Sequence, residues 1–231
     1  MIPLYKKADM TPGTHSLSHD RDHHDTKARI LEVAERLFME HGFSATSLRM
    51  ITGDAKVNLA SVNYHFGSKE ALIEAVFNRR LAPLNRERVA QLNRMEEEAN
   101  GEPLTVEQIV DAFVMSASRM GEGHSDTGMV FLRLLGRTFS DPASNVSSIL
   151  AKQYSDVVVR FKRAMARALP ALPEDELVWR MHFMFGTMAY TNAGMDAIQL
   201  IASCESANLE DQLSILRRVS KFVVAGLKAP L

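Results

Sequence analysis

The chain has 231 residues, 46% of them hydrophobic, and its 27 Lys and Arg residues nearly balance 28 Asp and Glu residues. This composition excludes a mostly disordered protein, and the net charge of −1 excludes a uniformly basic nucleic-acid coat. The single cysteine, Cys204, excludes a disulfide framework and a cysteine-based zinc site, and fits a reducing cytoplasm. With 12 Gly, 8 Pro and 7% aromatic residues, the chain is poor in turn signals, so we expect an all-α protein.

The chain contains neither a signal-peptide core nor a membrane helix. Its N-terminus is polar, and its best apolar stretch, residues 183–190, is far shorter than the roughly 18 apolar residues that span a bilayer. We therefore expect a cytoplasmic protein without a membrane partner.

Residues 1–25 contain prolines, a glycine and four histidines but no apolar period, which predicts a disordered tail. The histidines and aspartates of residues 19–25 resemble a metal-chelating sequence, but an unordered segment rarely forms a specific metal site. We therefore predict no metal site and no cofactor.

A helical period of apolar residues starts after the tail and predicts a first helix from Thr26 to Gly42. The residues of this apolar stripe are Ile30, Val33, Ala34, Leu37 and Phe38. Two short stripes follow, the first capped by Thr46 and the second by Asn58. Their inward residues are Leu48, Ile51 and Ala55 in the first, and Leu59, Val62 and Phe66 in the second. Because only three residues separate the stripes, they predict a helix-turn-helix over residues 26–72.

The remaining residues, 73–231, predict a larger domain of longer amphipathic helices. A helix capped by Ser68 continues to about residue 95, with a kink near Pro83, and a capping box begins the next helix at Thr105. Further helices are predicted over residues 126–140, 142–169, 174–203 and 208–227. No segment shows the alternating pattern of a strand.

The second helix of the helix-turn-helix presents hydrogen-bonding side chains and no carboxylate outward. These residues are Asn58, Ser61, Asn63, Tyr64 and His65. A helix in the DNA major groove needs such side chains for base edges and phosphates, and Lys56 and Lys69 flank it where the DNA backbone would lie. However, residues 26–70 hold six basic against five acidic residues, so a three-helix subdomain with a solvated polar face remains an alternative.

Three segments of this region resemble the tetracycline-repressor (TetR) family over residues 26–75. They are residues 30–38, the Gly-Phe-x-x-Thr-Ser-Leu sequence of residues 42–48, and residues 62–72 with the pattern Tyr-x-Phe-x-x-Lys-x-x-Leu. The resemblance implies a homodimeric transcriptional regulator, usually a repressor, that binds a palindromic operator and is released by a small ligand. It also implies roles for matching residues: phosphate contacts for Thr46 and Tyr64, the start of the fourth helix for Lys69, and a place beside the groove for His65. Gly53-Asp54 departs from the alanine-rich family pattern, and a mid-helix glycine costs about 1 kcal/mol relative to alanine.

Residues 59–77, 131–136 and 179–186 resemble fatty-acid-responsive regulators of β-oxidation, the PsrA-type branch of the family. That resemblance implies a long-chain fatty acid or its acyl-CoA as the effector. Methionines suit a cavity for an alkyl chain, but they are also ordinary core residues, and paired arginines either bind an anionic head or lie exposed. The candidate ligand-binding residues are Phe113, Met120, Met129, Arg133, Arg137, Met181, Met184 and Met188.

The last two helices have wide apolar faces, which predict that they form a two-fold dimer interface. Two alternatives remain: a helical ligand-binding or adaptor protein without DNA binding, and a TetR-type efflux regulator that responds to an unrelated small hydrophobic compound. We do not expect an enzyme, because no catalytic or nucleotide-binding motif occurs.

Overall fold

A computed structural model describes residues 15–116, 127–139, 146–193 and 212–231, and every regular element in these ranges is an α-helix. The helices are α1 (His15–His41), α2 (Leu48–Ala55), α3 (Leu59–Phe66), α4 (Lys69–Glu98), α5 (Val106–Val114), α6 (Thr127–Phe139), α7 (Val146–Ala168), α8 (Glu174–Ala193) and α9 (Gln212–Leu227). The expected all-α fold, with a small helix-turn-helix head before a larger helical part, is confirmed.

The head consists of α1, α2, α3 and the first turns of α4, packed around aromatic side chains. The Phe43 ring lies between Phe38 and Phe77, with ring centroids 5.1 and 5.3 Å away. Gly42, with a φ of 83°, ends α1 as predicted, and its N–H donates to the carbonyl of Phe38 at 2.8 Å. This turn directs Phe43 back into the core.

The N-terminal boundary of α1 differs from the prediction. The helix begins at His15, whereas the apolar period starts only after Thr26 and residues 1–25 were expected to be disordered. Periodicity detects a buried face, and residues 15–25 are polar apart from Leu17 but contain no proline or glycine that would stop helical hydrogen bonding. The side chains of the histidine cluster lie outside the described part of the chain.

A tight turn joins α2 to α3. Lys56 adopts a left-handed φ of 52°, and the following Val57 donates its N–H to the carbonyl of Thr52 at 3.1 Å. Asn58 then caps α3 as predicted. Leu59, predicted inward, is 47% exposed, because α3 has only two turns and directs Val62 rather than its first residue into the core.

The helix α4 runs from the head into the larger part of the molecule and stays one helix through Pro83. There α4 packs on α7, while α6 packs on α8, and α9 packs on α5 and α8. The Phe113 ring meets Phe161 and Phe185 edge-on at 5.1 and 5.4 Å, in the centre of this bundle. The predicted helix end near residue 203 and the start of the last helix at residue 208 lie outside the described residues.

In the described ranges, no helix combines the length and apolar character needed to cross a bilayer.

Candidate DNA-binding surface and ligand cavity

The outward face of α3 is polar, but part of it is occupied by helix capping. The Asn58 Oδ1 atom accepts hydrogen bonds from the Ser61 backbone N–H at 2.8 Å and from the Ser61 hydroxyl at 3.0 Å. Asn63 is exposed, and Tyr64 is the most exposed aromatic residue of the head, with 76% of its surface accessible. The Tyr64 ring contacts the half-buried His65 ring edge-on at 5.1 Å, which limits the directions that the phenol can take.

The start of α4 adds positive potential beside α3. The Ser68 hydroxyl accepts from the Ala71 N–H at 3.1 Å, while hydrogen bonds from the Glu70 backbone N–H and from the Ser68 side chain hold the pKa of Glu70 below its ordinary value. Lys69 lies at this helix end, with Nζ 3.5 Å from the Ser44 carbonyl, and Lys56 is exposed in the turn before α3. Backbone N–H groups at a helix start together with a lysine favour a phosphate oxygen.

Thr46 does not occupy the surface position expected of it. Its side chain is completely buried, and its hydroxyl donates to the carbonyls of Gly42 at 2.8 Å and Leu37 at 3.1 Å. The N-cap of α2 is the next residue, Ser47, which accepts from the Met50 N–H at 3.2 Å and is exposed. Thr46 therefore ties the start of α2 to α1, and Ser47 is the hydroxyl at this place that faces outward. Thr46 and Ser47 are adjacent hydroxyl residues that can both cap a helix, and the prediction of Thr46 as the N-cap of α2 was wrong.

A cavity of about 570 Å³ lies in the larger domain among α4, α5, α6, α7 and α8. Its wall is mainly apolar and includes Phe113, Leu135, Leu150, Val158, Phe185 and Met188. Its volume falls in the range of small-molecule sites, roughly 300–1,000 Å³, and such sites are usually apolar with few polar groups. Two predicted ligand-binding residues, Phe113 and Met188, line this cavity.

The other predicted ligand residues do not line it. Met181 and Met184 are buried in the core but not in the cavity wall. Arg133 is exposed and borders a different hollow beside α1, because it lies two residues, or about 200° around the helix, from the cavity-lining Leu135. Met120 lies outside the described residues, as do the side chains of Met129 and Arg137.

The polar group that the sequence prediction missed is Arg88, on α4. It lines the cavity with only 2% of its surface exposed. Its Nε donates to the Phe113 carbonyl at 3.1 Å and to the Ser116 hydroxyl at 2.9 Å, and its Nη1 donates to Asn85 Oδ1 at 3.2 Å. Burial lowers the pKa of the guanidinium, and hydrogen bonding to Tyr154 partly opposes that shift.

A signal for Arg88 existed in the sequence. It occupies one position of an inward stripe with steps of four, three, four and four residues, formed by Phe77, Leu81, Leu84, Arg88 and Leu92. A charged residue at a core position of a helix marks either a buried ion pair or a functional group. His182 on α8 is exposed and also borders the cavity.

The helices α8 and α9 pack on each other and leave large apolar side chains in solvent. Trp179 and Phe183, one turn apart on α8, stack with ring centroids 6.0 Å apart and are 58% and 61% exposed. On α9, Phe222 is 69% exposed. Exposed apolar surface of this kind is typical of an interface between subunits.

Comparison with known proteins identifies the family. Residues 30–76 match the family described as "Bacterial regulatory proteins, tetR family", and residues 111–226 match "Tetracyclin repressor-like, C-terminal domain". The chain therefore belongs to the TetR family of transcription regulators. The matches support this family and do not support its fatty-acid-responsive branch.

Curated relatives match mainly through the head. The chain is 47% identical over 49 residues to the probable regulator YttP of Bacillus subtilis, covering 21% of this chain and 24% of that protein. It is 39% identical over 67 residues to the repressor Rv3405c of Mycobacterium tuberculosis, covering 29% and 36%. The fold is similar throughout to a TetR-type regulator from Shewanella sp. PV-4, with a TM-score of 0.58, 18% identity and coverage of 86% and 95%.

Proposed function

We propose that the protein is a homodimeric repressor, not an enzyme, that binds a palindromic operator through α3 and leaves it when an effector occupies the cavity. The observation that carries this proposal is the pairing of an exposed, carboxylate-free α3 face with an apolar cavity in the same family fold. Two copies joined through α8 and α9 would present two α3 helices to successive major grooves.

For the effector, we propose a hydrophobic molecule, and a long-chain fatty acid or its acyl-CoA is the first class to test. The largely apolar cavity wall supports a hydrophobic body. The resemblance of residues 131–136 and 179–186 to fatty-acid-responsive regulators supports an alkyl chain. A TetR-type efflux regulator with an unrelated hydrophobic effector is the second candidate, favoured by the same wall.

The first experiment is a fluorescence titration of the protein against DNA from upstream of its own gene, with and without fatty acids and acyl-CoA esters. We expect tight binding that weakens steeply with salt, because phosphate contacts release counterions. Release by an unrelated hydrophobic compound alone would favour the efflux regulator. Absence of binding to this DNA and to other genomic fragments at any salt would favour an adaptor protein.

Tyr64→Ala tests the docking of α3. Because Tyr64 is exposed and does not hold the core, we expect a loss of operator affinity of at least tenfold with an unchanged unfolding midpoint. The control is Arg94→Ala, which removes an exposed side chain from the far half of α4 and should leave affinity unchanged. Equal affinities for Tyr64→Ala and wild type would contradict this docking geometry.

A further inference from the structure

Arg88 carries a positive charge that none of the described residues neutralises. A guanidinium remains protonated in proteins, and a buried charge is costly unless an opposite charge accompanies it. The groups that hydrogen-bond Arg88 are a backbone carbonyl, a serine hydroxyl, an asparagine amide and the Tyr154 phenol, and none of them is a carboxylate. In the described ranges, the hydrogen bonds of this side chain include none to a carboxylate, and it forms no ion pair.

The surroundings fix the orientation of the guanidinium. It lies over the Phe113 ring, 3.9 Å from the centroid, and 6.0 Å from the Tyr154 centroid. Its contact with the Phe113 carbonyl at the end of α5 is also favourable for a cation near a helix C-terminus. That contact explains why a buried arginine is tolerated there. The helix end supplies only a partial negative charge, however, so most of the positive charge of Arg88 remains unbalanced in the apolar cavity.

We propose that Arg88 binds the free carboxylate of an amphiphilic effector, whose alkyl body fills the rest of the cavity. This inference rests on the proposed function and narrows its effector class. Arginine and a carboxylate form a strong pair because the planar guanidinium matches the two carboxylate oxygens. An effector of this kind supplies the opposite charge that the described residues lack.

The position of Arg88 also determines which end of the ligand enters first. Arg88 is buried, whereas Val159 and His182 on the same cavity wall are exposed, so the solvent side lies between α7 and α8. A carboxylate enters as far as Arg88, but the large polar head of a coenzyme A ester has to stay at the solvent side. An acyl-CoA would therefore leave Arg88 without a counter-charge, and we expect the free acid to be preferred.

The test is calorimetric titration of the full-length protein, below micelle concentrations, with straight-chain acids of 8 to 18 carbons, the matching primary alcohols and the matching coenzyme A esters. We expect the best acid to bind at least tenfold more tightly than its alcohol and its ester, as expected for a charge-assisted hydrogen bond. Arg88→Met, which keeps an unbranched stem, should remove the preference for acid over alcohol. Arg88→Lys should retain part of it, and the exposed Arg133→Met should retain all of it.

The outcomes separate this inference from the proposed function. Equal affinities for acid and alcohol in the wild-type protein overturn the role of Arg88 but leave a hydrophobic effector in place, and this comparison needs no variant to fold. An unchanged acid preference in Arg88→Met also overturns it. If no acid, alcohol or ester binds, the proposed alkyl-chain effector fails and the inference fails with it, although the unrelated hydrophobic effector and operator binding stand on their own measurements.

Discussion

Glu35 and Arg88 are both buried charged side chains on otherwise apolar helix faces, but only Glu35 has an opposite charge beside it. Glu35, on α1, accepts from Arg80 Nε of α4 at 2.5 Å, and Arg79 Nη1 lies 3.7 Å from its Oε2 atom. The pair joins the first helix of the head to α4. The apolar pattern of α1 predicts which face of the helix is buried, but it does not predict this ion pair. Its partners are 45 residues apart, so only the packing of α1 against α4 brings them together.

We expect Glu35→Gln to lower the free energy of unfolding by about 2 kcal/mol, because it leaves two arginines without their buried partner. Urea unfolding followed by circular dichroism measures the change. Glu40→Gln is the matched control: Glu40 is exposed and pairs with Arg36, so its loss should cost less than about 0.5 kcal/mol. Equal changes in the two variants would show that the Glu35 pair contributes no more than a surface pair.

At the scale of the helix, local signals in the sequence predicted most of the caps whose partner lies three residues away; the exception is α2, whose N-cap is Ser47 and not the predicted Thr46. The caps Asn58 and Ser68 and the Thr105–Gln108 capping box were all predicted and are confirmed by their hydrogen bonds. The left-handed turn at Lys56 was not predicted, because lysine carries no preference for positive φ. The chain adopts this conformation because the turn must redirect α3 within three residues.

Lys56→Gly should change stability and DNA binding in opposite directions. Glycine adopts a φ of 52° without strain, so we expect the free energy of unfolding to rise by up to about 1 kcal/mol. Operator affinity should fall. The slope of the logarithm of affinity against the logarithm of salt concentration should become shallower by about one, as expected for the loss of one phosphate contact. Thermal unfolding and salt-dependent DNA titration measure the two effects.

Lys56→Asn is the control for this experiment, since asparagine tolerates positive φ but carries no charge. It should lose the same affinity as Lys56→Gly while gaining less stability. Unchanged affinity in both variants would mean that Lys56 does not contact DNA.

At the scale of the whole molecule, the sequence predicted the class of fold and the two parts of the chain, but not the cavity wall. The head could be predicted because its pattern is short and local. The cavity is assembled from five helices that are far apart in sequence, and helical period cannot tell a core methionine such as Met184 from a lining one such as Met188. Arg88 was missed because it is a single charge within an apolar stripe, whereas Arg133 and Arg137 of α6 form the four-residue pair that typically binds an anion.

The exposed aromatic residues of α8 and α9 make the proposed dimer testable. Replacing both Phe183 and Phe222 by glutamate should place charges in an apolar contact and convert the dimer to a monomer at micromolar concentration. Sedimentation velocity measures the assembly, and operator affinity should fall with it because a monomer reaches only one half-site. Arg163→Glu, exposed on α7, is the control and should remain dimeric; a dimeric double variant would contradict this interface.

Pro83 makes α4 easier to bend at one level, although the helix is continuous from Lys69 to Glu98. Lys69 and Arg88 are 19 residues apart on this helix, about 28 Å, and Pro83 lies between them. Proline has no N–H for the Arg79 carbonyl, so the helix is weakest in bending at that level. The segments of α4 before and after Pro83 are thus two regular helical segments that meet at a point where bending is easier. A bend of about 10° there would move the Lys69 end by about 4 Å, close to the roughly 3.4 Å that separates successive phosphates of one strand along the DNA axis.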